Sequence, residues 1–156
     1  REAFHPMPKR NRTIAREISL QALFQQDLTD SKKEDLYDLL AEAAEGERDY
    51  ARALVIGVLE NKQELDSRIT EVTDNWKLER IAAVDRAILR LGLYELLEMA
   101  EVPPKVVINE SVELAKKFST EKSGAFVNGV LDRIYQTMSA GRKSSPGEEN
   151  NHDSEA

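Results

Sequence analysis

The sequence predicts an all-α protein: one helical domain with disordered ends. Three observations carry that reading. Apolar residues recur at three- and four-residue steps from Thr13 to Met138. No segment alternates apolar and polar residues between turn dipeptides, so no sheet is expected. The 156 residues are 40% hydrophobic, enough for one compact core, and the longest apolar runs are far short of the roughly 20 residues that a membrane-spanning helix needs.

The elements follow in order. Thr13 to Leu28 carries Ile14, Ile18 and Ala22 at four-residue steps, with Leu20, Phe24 and Leu28 widening the stripe. Arg12, Arg16, Ser19 and Leu23 share the roughly opposite face. This places the isoleucines in the core and the arginines outside. Asp35 to Glu45 holds Leu36, Leu39, Leu40 and Ala43, with Gly46 as a C-terminal stop. Asp49 to Asn61 and Gln63 to Asn75 read as one long helix or two. Arg80 to Glu98 is apolar on most faces and is therefore the central, buried helix. Pro103 and Pro104 break the chain and suit the start of the next helix, Val106 to Phe118, where Glu113 and Lys117 are spaced as an exposed pair. Ser123 is placed to cap Gly124 to Met138, with Val127, Leu131, Ile134 and Met138 as its stripe. That makes about seven helices.

The ends differ in composition. Met7, followed by Pro8, Lys9 and Arg10, reads as a start, with residues 1–6 as an upstream extension. Residues 1–10 are expected to form a flexible basic arm. Residues 139–156 are Gly, Ser, Pro, Asn and Glu with almost nothing to bury, and are expected to be a disordered acidic tail. The folded domain is expected over 11–138.

The net charge of −7 conceals an asymmetry. Arg1, Lys9, Arg10, Arg12 and Arg16 stand against Glu2 in residues 1–16, a net +4. An acidic body with a basic arm fits polyanion binding, with solubility as the plainer account. There is no cysteine, which removes disulfides, thiolate chemistry and cysteine-ligated metals. The two histidines, His5 and His152, lie in the expected tails, against a histidine metal site or a Ser-His-Asp hydrolase. No carboxylate pairs with a nucleophile or a Gly-rich phosphate loop. The expectation is a protein with no catalytic residues, no metal and no cofactor, not bound to a membrane, in the cytoplasm.

Three segments resemble one family. RTIAREISLQALFQQDL (Arg12 to Leu28), NWKLERIAAVDRAILRLGLYEL (Asn75 to Leu96) and VPPKVVINESVELAKKFSTEKSGAFVNGVLDRI (Val102 to Ile134) are similar to the signature blocks of the bacterial NusB antitermination factors. The resemblance implies two packed helical bundles. It implies an RNA-binding adaptor that pairs with NusE, a small-subunit ribosomal protein, on the boxA element of nascent ribosomal RNA, and so acts indirectly on the RNA polymerase antitermination complex. A NusB-like domain also precedes the catalytic domain of certain ribosomal RNA cytosine methyltransferases. Those carry a catalytic cysteine, so that branch is not expected here.

Candidate contacts follow. Lys9, Arg10, Arg12 and Arg16 would follow a phosphate backbone. The resemblance places the Phe126 to Asp132 block near RNA. Phe126, at the edge of its helix stripe, could stack on an unpaired base, and Asn128 offers a donor and an acceptor. Lys116, Lys117 and Lys122 lie close in sequence and are assigned to phosphates. For all of these the alternative is ordinary packing or a solvated face. Asp85 has Ile81, Ala82, Ile88 and Leu89 as helical neighbours. A carboxylate there needs a distant arginine or a covering partner. The resemblance puts NusE on this region and favours the second, with Glu79, Arg80 and Tyr94 as further contacts. The competing functions are a DNA-binding helical regulator, using Arg12 to Leu28 as a recognition helix, and a purely protein-binding helical module.

Overall fold

A computed structural model describes residues 9–30, 32–41, 43–74 and 77–143. Among them are seven α-helices and one 3₁₀ turn, with no strand. These are α1 (Lys9–Thr29), α2 (Lys33–Leu40), α3 (Glu45–Glu60), α4 (Lys62–Val72), the 3₁₀ turn (Leu78–Arg80), α5 (Ala83–Glu98), α6 (Pro104–Phe118) and α7 (Glu121–Lys143). Helices α1, α2 and α3 pack together as one bundle, and α4 to α7 as a second. Helix α5 belongs to the second and also packs against α1 and α3. It is buried nearly all round, through Ala87, Ile88, Leu89, Leu91 and Leu93, as its sequence requires.

Several boundaries differ from the sequence reading, each for a local reason. Gly46 does not stop α2. That helix ends at Leu40, and Gly46 is the second residue of α3, between the first-turn acids Glu45 and Glu47. Those carboxylates suit a helix N-terminus. The open choice between one helix and two is settled at Asn61. Its backbone N–H donates to the Gly57 and Val58 carbonyls and its side-chain amide to Gly57 O, which separates α3 from α4. Residues 78–80 form a tight turn rather than the start of α5. The Arg86 guanidinium holds that turn by donating to the carbonyls of Leu78 (3.3 Å) and Ile81 (2.8 Å).

Pro104 is the first residue of α6, where its missing N–H costs nothing. The cap of α7 is Thr120, not Ser123: Thr120 Oγ1 accepts the Ser123 N–H at 3.0 Å. Helix α7 also runs to Lys143, so residues 139–143 are helical rather than part of a tail. In the same way α1 begins at Lys9, inside the expected arm. The expectations for residues 1–8 and 144–156 lie outside the described residues.

Candidate nucleic-acid interface

Helix α1 is rotated from its expected orientation, so that of the expected stripe Leu20 and Ala22 are buried but Leu28 is 61% exposed. Ala15, Arg16, Ser19, Ala22 and Leu23 are its buried side. Ile14, Ile18 and Phe24 are only partly covered. Small residues decide this. Ala15, Ser19 and Ala22 let the α1 backbone come close to its neighbours, and Ser19 Oγ donates to Ala15 O (2.8 Å) and reaches Ala51 O of α3 (3.3 Å).

Arg16 is carried inside with this face and is 2% exposed. Its Nε donates to both carboxylate oxygens of Glu95 on α5 (2.9 and 3.0 Å), and its terminal nitrogens reach Glu95 (2.6 Å) and Glu110 on α6 (3.4 Å). Tyr50 of α3 donates its hydroxyl to the same Glu95 at 2.8 Å. Thr13 Oγ1 donates to Glu110 at 2.8 Å. Burial alone would lower the Arg16 pKa, but the hydrogen bond and charge of Glu95 hold it above the usual arginine value. Burial, and then Glu95, push the Tyr50 hydroxyl well above the usual phenol range. Arg16 therefore joins four helices and is not a phosphate contact, which corrects the sequence reading.

Arg12 differs. It is half-buried, its guanidinium lies 5.2 Å from the Tyr50 ring centroid, and it makes no ion pair among the described residues. Lys9 and Arg10 belong to the first turn of α1, and their side chains lie outside the described set.

The residues expected on the α6–α7 side are divided between two grooves. Lys122 and Phe126 share one of about 210 Å³ with Arg80, Asp85 and Ser123. Asn128 opens on another, more polar groove of about 410 Å³, with Asn109, Glu113 and Lys116. Residues 126 and 128 point about 200° apart on one helix, so a single contact face is not possible. Lys117 pairs with Glu17 of α1 at 2.8 Å rather than with Glu113, which approaches Lys116 at 3.8 Å. Lys122 and Arg80 are exposed and make no ion pair among the described residues.

The first fate expected for Asp85, a distant arginine, is not met among the described residues. No arginine reaches it, and it is 8% exposed. Its Oδ2 accepts the Ser123 hydroxyl at 2.9 Å, and that hydroxyl is linked to Ser119 and Thr120 at 2.9 and 3.0 Å. Its Oδ1 has no hydrogen-bond partner among the described residues. As the third residue of α5 it lies where a helix favours negative charge. The arginines that follow it are spent elsewhere: Arg86 on Asp27 (2.6 Å), Arg90 on Asp66 (2.7 Å). Glu79 is exposed on the 3₁₀ turn. Tyr94 stands apart from Asp85. Nine residues along α5 it is about half a turn round the helix. Its ring lies against Gly57 of α3, with its pKa raised first by burial and then by Glu98 and Glu60.

The sequence reading missed an apolar groove of about 430 Å³, lined by Ile14, Ile18, Phe24, Val84 and Phe118. Phe118 is 45% exposed. The available signal was that α1 carries more apolar side chains than one stripe can bury. Val84 and Asp85 are consecutive residues of α5, yet they line different grooves. Among the described residues no group of three or more acids, histidines or cysteines could hold a metal, and no helix is long and apolar enough to cross a membrane.

Comparison with known proteins places this arrangement. The NusB family model matches residues 13–136. The transcription antitermination protein NusB of Geobacter sulfurreducens is 44% identical over 131 residues, covering 81% of this chain and 95% of that protein. The structure of T. maritima NusB superposes with a TM-score of 0.75 at 36% identity, over 85% of this chain and 93% of that one. A crystal structure of the antitermination factors NusB and NusE in complex with dsRNA superposes with a TM-score of 0.76 at 32% identity, over 83% of this chain and 99% of the matched one.

Proposed function

The chain belongs to the NusB family, and from that premise we propose that it is a transcription antitermination factor which, together with NusE, binds the boxA element of nascent ribosomal RNA. The family is non-enzymatic. The adaptor acts in the cytoplasm and reaches RNA polymerase only through these partners. The relative solved with NusE and dsRNA supports both kinds of contact.

The observation that carries the RNA reading is the groove beside α7, where Phe126 lies with Lys122 and Arg80, two cations without an ion pair among the described residues. An aromatic ring accepts an unpaired base, and the cations accept phosphates. Arg12, with Lys9 and Arg10 at the start of α1, extends the basic contact, while Lys116 and Asn128 form a second strip across α7. Arg80 moves from the protein-contact set to this RNA set.

The apolar groove of Ile14, Ile18, Phe24, Val84 and Phe118 is the surface NusE covers, with Asp85 at its edge. A contiguous exposed apolar patch of this kind marks a protein contact. Tyr94 and Glu79 lie outside that groove and leave the partner set.

Titration against boxA-like single-stranded RNA, a scrambled RNA and duplex DNA, each with and without NusE, tests the reading. Preference for the boxA-like strand, strengthened by NusE, is expected. Tighter binding to duplex DNA would replace it with a DNA-binding regulator.

A further inference from the structure

Arg12 and Tyr50 are far apart in sequence, yet the Arg12 guanidinium lies over the Tyr50 ring at 5.2 Å. The inner edge of that guanidinium is sealed: Arg12 Nε is buried and has no hydrogen-bond partner among the described residues. The ring is fixed from the other side. Tyr50 donates its hydroxyl to Glu95 at 2.8 Å, and Glu95 is gripped by the buried Arg16. A chain of contacts thus runs from the core, through Arg16, Glu95 and Tyr50, to a cation near the surface at the start of α1. A free arginine samples many rotamers and loses that freedom when it grips a phosphate. An arginine already laid on an aromatic face loses less, and its planar fork keeps one orientation.

We infer that Tyr50 is a positioning residue for RNA binding, which holds Arg12 with its terminal nitrogens presented to a backbone phosphate. Tyr50 does not touch the RNA itself. The inference rests on the reading of Arg12 as an RNA contact, and it adds a residue of α3 to that surface.

The test uses the full chain and a 12-nucleotide oligouridylate, since a phosphate contact does not depend on base sequence. Arg12→Ala is expected to weaken binding about fivefold and to lower the salt slope by about 0.7, one phosphate's share for a single strand. Tyr50→Leu should do the same, and the double variant should be no weaker than either single one. Tyr50→Phe keeps the ring and drops the hydroxyl. It should bind within about twofold of the natural protein while melting at a lower temperature. Arg12→Lys keeps the charge but loses the flat fork, and should bind nearly as weakly as Arg12→Ala. This variant decides the matter even where Tyr50→Leu does not fold. Additive losses in the double variant, Tyr50→Phe as weak as Tyr50→Leu, or Arg12→Lys equal to the natural protein would each overturn the inference alone. Unchanged binding by Arg12→Ala would overturn the reading of Arg12 and the inference with it.

Discussion

An arginine on a helix predicted to face solvent is ordinarily a surface charge, and Arg16 is not. It is enclosed with Glu95, Tyr50 and Glu110, so removing it strands a buried carboxylate. Arg16→Met is therefore expected to destabilise the fold by about 3–5 kcal/mol, read by urea unfolding. Adding Glu95→Leu should return much of that loss, because the uncompensated charge goes with it. A loss under about 1 kcal/mol, with RNA affinity falling instead, would put Arg16 back on the RNA surface. Asp27 provides a second test. Burial pushes its carboxyl up, but the hydrogen bond from Arg86 and the charges of Arg86, Arg90 and Lys62 outweigh this and hold its pKa below the usual value. A carboxyl depressed in the folded state stabilises that state fully above its unfolded pKa of about 3.9, and the contribution disappears as pH falls through the lower folded value. Melting temperatures measured from about pH 5 downward should drop less steeply in Asp27→Asn than in the natural protein. Parallel curves would exclude Asp27 as a source of acid sensitivity. Arg16 was unreadable from sequence because periodicity shows which residues share a face, not which face the tertiary structure covers. The Arg16–Glu95 pair spans α1 and α5, and only their packing brings it together.

Where a helix is apolar nearly all round, its burial is legible at once, and α5 is the case. The proline start of α6 was equally plain. The amphipathic helices were harder. In α1 the wide stripe of Ile14, Ile18 and Phe24 outweighed the narrow seam of Ala15 and Ser19, yet the seam is what packs, together with Ala22 of the expected stripe. Small residues allow close approach, and their apolar content understates it. Gly92 makes the same point inside α5. A Cβ there would stand 2.5 Å from Ser111 Oγ of α6 and 2.9 Å from Leu131 Cδ1 of α7. Gly92→Ala should thus cost about 1–3 kcal/mol by overpacking, despite the better helix propensity of alanine. Urea unfolding of Gly92→Ala beside Gly129→Ala separates the two effects, since a Cβ at Gly129 would meet nothing within 4 Å. Gly129→Ala should be neutral or stabilising. Equal losses in both would mean that the approach of α5 to α6 and α7 is not what Gly92 serves. The split of Phe126 and Asn128 onto two grooves was in principle readable, since it follows from helix geometry alone; proximity in sequence hid it.

At the scale of the whole molecule, a chain of net charge −7 must bind a polyanion locally, through cations its own carboxylates leave free. Arg16, Arg86 and Arg90 are spent on the fold, whereas Arg12, Arg80 and Lys122 make no ion pair among the described residues and are among the cations proposed for RNA. So few contacts should hold RNA weakly and with a shallow salt slope, about 0.7 for each phosphate contacted. The N-terminus of α5 offers a way to do better. Val84 lines the apolar groove assigned to NusE, and Asp85 lines the groove that holds Phe126 and Lys122. A protein seated on the first groove reaches the edge of the second, where it can add contacts to the same RNA strand. Linkage then demands reciprocity: RNA must tighten NusE binding by the factor with which NusE tightens RNA binding. The expected coupling is about 1–3 kcal/mol, the usual range for linked sites. Phe126→Ala should weaken RNA binding with and without NusE, because its ring belongs to this chain. Asp85→Lys should weaken NusE binding and shrink the coupling, while RNA binding without NusE is retained or improved by the added charge. Calorimetric titrations around the full cycle, for the natural protein and both variants, decide between the outcomes. A coupling indistinguishable from zero would make the two grooves independent and the chain a tether. A collapse of thermal stability together with both affinities in Asp85→Lys would make the Asp85–Ser123 bond a structural element rather than the junction of two surfaces.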